Sequence, residues 1–343
     1  MTEMVLVTGG TGFIAQYCII ALLNAGYRVR ATVRSRTRES EVRSYLKTGG
    51  VDAGKQLEVI EAHLGSDTGW NEAATGCTYA IHPASPTPSG AQTRVEDWVA
   101  PAVEGNLRVL RAARDAGMKR VVLTSAFGAI GMGHAASHRR PFDETDWTEL
   151  DNPIVAPYQR SKTMSERASW DFIAKEGKGL ELASVNPVAV LGPALGPDSS
   201  HSIAIVANLL KGGPIPRLNS CYVDVRDVAD LHLRAMIDPV AKGERFIASA
   251  GHSMWMVEVG KVLRDRMGSA ASKVRTKSVP SWVLKSLALA NKNAANIVKL
   301  LDLNMDASGD KARRMLGWAP RSQEDAIIAA AESLVKLGLA PGS

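Results

Sequence analysis

Three observations predict an α/β fold, with a doubly wound parallel sheet and a smaller, mostly helical capping region. Short β-branched runs alternate with longer stretches of helical spacing through the first half of the chain. The strand candidates are continuously apolar, as in a parallel sheet buried on both faces. After Asn186-Pro187 the rhythm changes: Pro187, Pro193, Pro197, Pro214 and Pro216 punctuate irregular chain, and helical patterns follow.

The strand candidates are Met4–Val7, Val29–Val33, Leu57–Ile60, Tyr79–His82, Val121–Thr124 and Leu182–Val185. Phe13 to Asn24 carries apolar residues at helical spacing and meets a stop at Gly26. A second helix fits Val103 to Ala116, ended by Gly117, and a third starts after Pro157 and runs to about Lys175. The proline-rich stretch Pro83 to Pro88 reads as a loop at a strand end. These elements divide the chain into a sheet domain over 1–187 and a capping region over 188–343, with part of 221–250 returning to the sheet domain.

The chain has 343 residues, is 45% hydrophobic and carries a formal charge of +6. It is too apolar to be disordered and long enough to bury a substantial core. Cys18, Cys77 and Cys221 are scattered without CxxC spacing, which excludes a disulfide framework and a zinc cage and suits a reducing compartment. Met1-Thr2-Glu3 leads straight into Met4–Val7, and no apolar run approaches the roughly 18 to 20 residues of a bilayer span. A cytoplasmic protein is expected, with no membrane partner. Aromatic residues are 5% of the chain, which gives base-stacking modes little material, so no nucleic-acid partner is expected either.

Thr8-Gly9-Gly10-Thr11-Gly12-Phe13-Ile14-Ala15 lies between the first strand and the first helix. Gly9 permits a tight turn, Gly12 lets the backbone approach a pyrophosphate, and Ala15 allows close packing of helix on strand. The helix N-terminus then offers N–H groups and its dipole to the anion. A dinucleotide with a free ribose 2′-hydroxyl usually meets Asp or Glu at the end of the second strand, yet no Asp or Glu occurs between Met4 and Arg38. Arg34 ends the strand instead, with Arg36 and Arg38 following. Arginines there favour a 2′-phosphate and hence NADP(H), with Arg36 left as part of a solvated loop. Residues 28–47 hold seven basic and two acidic side chains, a local charge of +5, which reads as a cofactor clamp.

Tyr158 and Lys162 are four residues apart on one helix face. A neighbouring ammonium stabilises a phenolate, bringing a tyrosine towards acid–base work near neutral pH. The seven histidines form no metal set; His134 and His138 read as a solvated or pocket-edge pair. Of Asp224, Asp227 and Asp230, Asp227 is expected to cap a helix. Phe127, Ile130, Met132 and Tyr222, with Trp255, are candidates to line an apolar substrate pocket or to be core.

These motifs, in this order, resemble the extended short-chain dehydrogenases/reductases, in the branch of dihydroflavonol 4-reductases, cinnamoyl-CoA reductases and methylglyoxal/aldehyde reductases. The resemblance rests on TGGTGFIA (Thr8–Ala15), ATVRS (Ala31–Ser35), HPASP (His82–Pro86), VVLTS (Val121–Ser125), YQRSK (Tyr158–Lys162), NPVAVLGP (Asn186–Pro193), YVDVRDVADLH (Tyr222–His232) and LGWAP (Leu316–Pro320). It implies a Rossmann-type fold. It places Gly9, Gly12, Phe13 and Ile14 at the pyrophosphate, and Arg34 and Arg38 at the 2′-phosphate. Ala84 and Ser85 fall at the nicotinamide ribose, and Val188 and Ser202 near the nicotinamide. Tyr158 and Lys162 match the family's acid–base pair. His63, beside Leu64, stands where the family commonly has an acidic residue at the adenine.

The branch often reads TSS after the fifth strand, its second serine binding the substrate carbonyl; here Thr124-Ser125-Ala126 leaves Ser125 as the nearest hydroxyl, with Thr124 behind it. The expected activity is NADPH-dependent reduction of an aldehyde or ketone to an alcohol, on a small-molecule substrate, by a monomer or homodimer. The alternatives are a nucleotide-sugar epimerase or dehydratase and a non-catalytic NADP-binding regulator.

Overall fold

The computed structural model describes residues 3–86, 94–135, 138–197, 200–289 and 291–340, so Thr87 and Pro88 of the proline-rich stretch lie outside the described residues. Seven parallel strands form one sheet: β1 (Met4–Val7), β2 (Arg28–Val33), β3 (Leu57–Glu61), β4 (Tyr79–His82), β5 (Arg120–Thr124), β6 (Glu181–Pro187) and β7 (Arg245–Ala248). Their order is β7-β6-β5-β4-β1-β2-β3, so the winding reverses between β1 and β4. Val5 of β1 pairs with Val29 on one side and Tyr79 on the other. A crevice at the carboxyl ends of those strands is where such sheets receive a ligand.

The helices are α1 (Phe13–Asn24), α2 (Glu39–Thr48), α3 (Trp70–Ala74), α4 (Glu96–Asp115), α5 (Pro157–Glu176), α6 (His201–Leu210), α7 (Val225–Ile237), α8 (Met256–Met267), α9 (Ser281–Ala288), α10 (Lys292–Lys299), α11 (Asp310–Leu316) and α12 (Gln323–Lys336). Alternating strand residues supply two cores. Val5, Val7, Ile81 and Val122 pack with α1 and α7 on one face. Leu6, Ala80, Val121 and Leu123 pack with α3, α4 and Phe172 of α5 on the other. Beyond β6, Ala189–Leu191 pairs with Tyr222–Asp224, and α6, α8 and α12 pack together over that pair. The Trp318 indole donates to the Asp227 carbonyl (2.9 Å), tying the α11–α12 connection to the start of α7.

Several expectations are corrected. The second predicted helix begins at Glu96, seven residues before Val103, and carries Pro101 within it; Pro101 is exposed, so water can satisfy the carbonyl its ring leaves unpaired. The segment after Arg38, to which no element was assigned, forms α2, stitched by Arg43 to Glu39 at 2.8 Å with i,i+4 spacing. Asp224, not Asp227, caps α7, accepting from the Arg226 backbone N–H at 2.9 Å. Asp227 instead receives the Arg321 backbone N–H at 2.8 Å and pairs with the Arg321 guanidinium.

Candidate active site

The glycine turn sits at the switch point. Gly9 has φ +66°, a conformation that costs other residues steric strain. A Cβ there would lie 3.0 Å from Ala84 Cβ, so the Gly9 backbone and the post-β4 loop approach as closely as two residues can. Gly10 carries a packing role that the motif did not announce. A Cβ on it would meet Ala31 of β2 at 3.1 Å, and its N–H donates to the Thr32 carbonyl at 2.7 Å. Gly12 is the N-cap of α1 and supplies no side chain, leaving the helix start uncapped beside an exposed glycine. That arrangement suits a pyrophosphate, with the amides of Phe13 and Ile14 in the first turn. The Phe13 ring itself turns inward onto Tyr17, edge to face at 5.9 Å.

A buried relay fixes the loop carrying Ala84 and Ser85. Asn106 donates to Ser165 O and Ser169 Oγ, so its Oδ1 accepts from His82 Nε2 at 3.1 Å. His82 Nδ1 is therefore the acceptor for the Thr8 hydroxyl at 2.7 Å, and Thr8 Oγ1 in turn accepts from the Ala84 N–H at 3.1 Å. Burial, moderated by the Asn106 hydrogen bond and reinforced by Lys162, pulls the His82 pKa down to about 4, so the ring is neutral.

The arginine cluster is mostly spent within the fold. Arg28 and Arg30 both pair with Glu58 (2.6 and 2.9 Å), and Arg38 makes two hydrogen bonds to Glu41 (2.8 and 2.9 Å). Arg36 is exposed, as expected of a solvated loop, and it is also anchored: its guanidinium reaches the Val59 carbonyl at 2.6 Å and its backbone N–H the Glu61 carboxylate at 2.9 Å. Arg34 is exposed at the carboxyl end of β2. Beyond β3, His63 is exposed and its Nδ1 accepts from the Gly65 N–H, while half-buried Leu64 packs on Gly105 of α4.

Tyr158 and Lys162 occupy the first turns of α5, which Pro157 starts at N1, where its missing N–H costs nothing. Tyr158 is 43% exposed and meets Trp98 of α4 edge to face at 6.3 Å. Lys162 is buried and its ammonium donates to the Thr124 carbonyl at 3.4 Å. Burial lowers its pKa to about 8, against the partial opposition of Glu166's charge. Val188 is buried, with its N–H on the Ala248 carbonyl, and Ser202 is half-buried in the first turn of α6.

The hydroxyl expected to hold a substrate carbonyl is directed elsewhere. Ser125 Oγ donates to Glu166 Oε2 at 2.5 Å, deep in the protein. Glu166 also takes Arg245 Nε (2.8 Å), Asn186 Nδ2 (2.8 Å) and Ser184 Oγ (3.0 Å). Burial alone would raise its pKa, but the Arg245 charge and these donors hold it below the usual carboxylate range. Thr124 is committed too: His232 Nδ1 donates to the Val228 carbonyl, which makes Nε2 the acceptor of the Thr124 hydroxyl at 2.7 Å. Ala126 is partly exposed, its carbonyl accepting from Asn186 at 3.3 Å. Sequence reasoning missed Glu166, Asn186 and Arg245; the one available signal was Glu166's position four residues beyond Lys162 on the same helix face.

Of the pocket candidates, Ile130 is fully buried and Met132 is 3% exposed, so both are core rather than lining. Phe127 packs edge to face on Phe142 at 5.7 Å within the same core, and Tyr222 is buried on its strand, where desolvation pushes its phenol pKa up. Trp255 is half-buried, with the Arg217 guanidinium 5.0 Å over its ring. His134 and His138 are not simply solvated: His138 stacks on Phe142 at 4.1 Å, and His134 donates to the Ile130 carbonyl. A shallow cavity of about 430 Å³ borders Trp147, Trp170, Arg167 and Arg245 and includes none of the residues assigned to cofactor or substrate. Among the described residues there is no metal-ligating cluster, all three cysteines are free, and no helix is long and apolar enough to cross a membrane.

Comparison with known proteins extends this geometry. Residues 5–248 match the model of the NAD dependent epimerase/dehydratase family. Tetraketide alpha-pyrone reductase 2 of Arabidopsis thaliana is 34% identical over 268 residues, covering 76% of this chain and 82% of the relative. Cinnamoyl-CoA reductase 1 of the same plant is 36% identical over 263 residues, covering 75% of this chain and 74% of the relative. The crystal structure of Gre2 from Candida albicans in complex with NADPH superposes with a TM-score of 0.80 at 27% identity, covering 98% of this chain and 99% of that one.

Proposed function

This chain belongs to the NAD dependent epimerase/dehydratase family, and on that basis we propose that it is an NADPH-dependent carbonyl reductase. The substrate is a small aldehyde or ketone, reduced to the alcohol. The observation that carries the reading is that the glycine turn and uncapped α1 start follow β1 while Lys162, one turn beyond Tyr158 on α5, donates to the Thr124 carbonyl at the end of β5, so both lie at the carboxyl edge of one parallel sheet. Reductases among the relatives at 34% and 36% identity, and a similar fold solved with NADPH at 27% identity, support it.

The bound cofactor supplies the hydride that reduces the carbonyl carbon. Gly9, Gly12, Phe13 and Ile14 hold the pyrophosphate through backbone N–H groups. Arg34 meets the 2′-phosphate, and Arg38 joins it by exchanging Glu41 for the phosphate. His63 and Leu64 flank the adenine, Ala84 and Ser85 the nicotinamide ribose, and Val188 and Ser202 the nicotinamide end. Tyr158 donates a proton to the substrate oxygen, and Lys162 stabilises the phenolate that remains. With the Thr124 and Ser125 protons turned inward, the substrate oxygen takes its orienting hydrogen bond from Tyr158 and from backbone or water at the cleft. Phe127 and Tyr222 support the pocket wall from within rather than touching substrate. The reading includes a monomer or homodimer working in the cytoplasm.

The test follows NADPH oxidation spectroscopically with a panel of aryl and alkyl aldehydes, ketones and dihydroflavonols. Tyr158→Phe should abolish turnover while leaving NADPH affinity within about twofold, since the ring and its packing on Trp98 remain. Retained turnover in that variant would remove Tyr158 from its role, and tight NADPH binding without turnover on any carbonyl would sink the reductase reading.

A further inference from the structure

The formal charge of +6 has a second possible location. Residues 267–301 contain Lys273, Arg275, Lys277, Lys285, Lys292 and Lys299 and no Asp or Glu, six minus zero, or +6. The remaining 308 positions hold 35 basic and 35 acidic residues, since 41 minus 6 is 35, and so sum to zero. The arginines of 28–47, by contrast, are largely paired, Arg28 and Arg30 with Glu58, Arg38 with Glu41 and Arg43 with Glu39. The excess charge of the molecule is thus presented by α9, α10 and the loop that leads into them. Lys273, Lys277, Lys285 and Lys299 are exposed there.

The same segment exposes apolar side chains. Trp282 is 70% exposed, Leu287 54% and Leu289 92%, while Leu284 (6%) turns inward. Trp282, Lys285 and Leu289 fall at i, i+3 and i+7, along one side of α9 and its C-terminal continuation. An indole and leucines rimmed by lysines form the pattern of a segment lying in a membrane interface, its apolar groups in the acyl boundary and its ammonium groups among acidic headgroups. A second copy of this chain would bring like charge to like charge.

We propose that the α9–α10 hairpin docks the protein reversibly on an anionic lipid surface, Trp282 and Leu289 entering the headgroup region and the lysines pairing with lipid phosphates and carboxylates. Among the described residues no helix is long and apolar enough to cross a membrane, and the association proposed is peripheral. The expectation of no membrane partner rested on the lack of a bilayer-spanning apolar run and on reading the charge of residues 28–47 as a cofactor clamp, and neither bears on a peripheral contact through α9 and α10.

The experiment is co-sedimentation of the full chain with phosphatidylcholine vesicles, with and without phosphatidylserine, at low and high salt. Binding should require phosphatidylserine and fall as salt rises. Each lysine contributes roughly fivefold, so Lys273→Gln/Lys277→Gln/Lys285→Gln should weaken binding about a hundredfold. Trp282→Ala should weaken it roughly tenfold. Unchanged far-UV circular dichroism and unchanged reductase turnover in solution would verify that the variants are folded. Failure of the wild-type chain to bind phosphatidylserine vesicles, or equal binding to neutral ones, overturns the proposal. So does binding indifferent to both variants, or sedimentation velocity showing a dimer that Trp282→Ala dissociates.

Discussion

Two fully buried histidines make the fold sensitive to mild acid, and the size of the effect follows from their surroundings. His82 and His232 each have a pKa pulled down to about 4, chiefly by burial, from 6.5. Both are fixed as neutral tautomers that accept from a threonine hydroxyl, Thr8 for His82 and Thr124 for His232. Protonating either ring would set an N–H against that hydroxyl and orphan its proton inside the protein.

The folded-state pKa is depressed, so the unfolded chain takes up a proton below pH 6.5 that the folded chain refuses until about pH 4. Their contribution is fully present above pH 6.5 and is lost as pH falls through that window. Each ring accounts for roughly 3 kcal/mol at the acid end, a large share of a typical stability of about 5–15 kcal/mol. Between pH 6 and 4.5 the pair should make the unfolding free energy fall with a slope approaching about 2.7 kcal/mol per pH unit. Urea unfolding across that range measures it, and His82→Gln should roughly halve the slope. A free energy flat from pH 6.5 to 5, or an imidazole titrating near 6.5 by proton NMR in the folded protein, would refute the assignment of neutral buried rings.

Two further outcomes follow from the cofactor end and the strand-end cluster. Arg34→Ser should raise the NADPH dissociation constant by roughly ten- to a hundredfold, the worth of a charge-assisted hydrogen bond, and leave NADH affinity unchanged; isothermal titration with both cofactors checks it, and equal losses for the two would move the 2′-phosphate elsewhere. Ser125→Ala should cost about 2 kcal/mol of stability by removing one donor from buried Glu166. It should change kcat by no more than a few-fold, and a loss beyond a hundredfold in steady-state kinetics would return Ser125 to the carbonyl.

Six of the seven strands were legible because parallel strands covered on both faces must be apolar throughout: Met4–Val7 and Tyr79–His82 read as they stand, four others within two residues of each bound, and β7 (Arg245–Ala248), which opens on an arginine, was not singled out as a strand. The first helix was equally plain, its glycine turn before it and Gly26 behind it. What escaped depended on partners far along the chain. The +5 of residues 28–47 counted Arg28, Arg30 and Arg36 as available, although Glu58 and Val59 to Glu61 of β3 take them up. Glu166 gathers Ser125 from 41 positions away and Arg245 from 79, separations at which no local pattern speaks. Ile130 and Met132 were ambiguous for a simpler reason, since an apolar side chain after a strand end serves a pocket wall or a core equally well.

The inward commitment of Thr124 and Ser125 gives Ala126 a consequence that kinetics can read. Ala126 is partly exposed and extended (φ −161°, ψ 158°) directly after the carboxyl end of β5, and Asn186 links its carbonyl to Glu166. A hydroxyl placed at that position would have neither the Glu166 nor the His232 acceptor to itself, because Ser125 and Thr124 already occupy them. It would be free to donate to a substrate oxygen where charge develops during hydride transfer. A donor of that kind is worth about a hundredfold or more when the rest of a site is built around it, and less when the site already manages without it. Ala126→Ser should therefore raise kcat roughly tenfold on aldehydes with little change in NADPH affinity, measured in parallel with Ser125→Ala. A variant no faster than the parent, with its fold intact, would mean that the backbone or water donor serves as well as a side-chain hydroxyl and would refute the gain expected at this position.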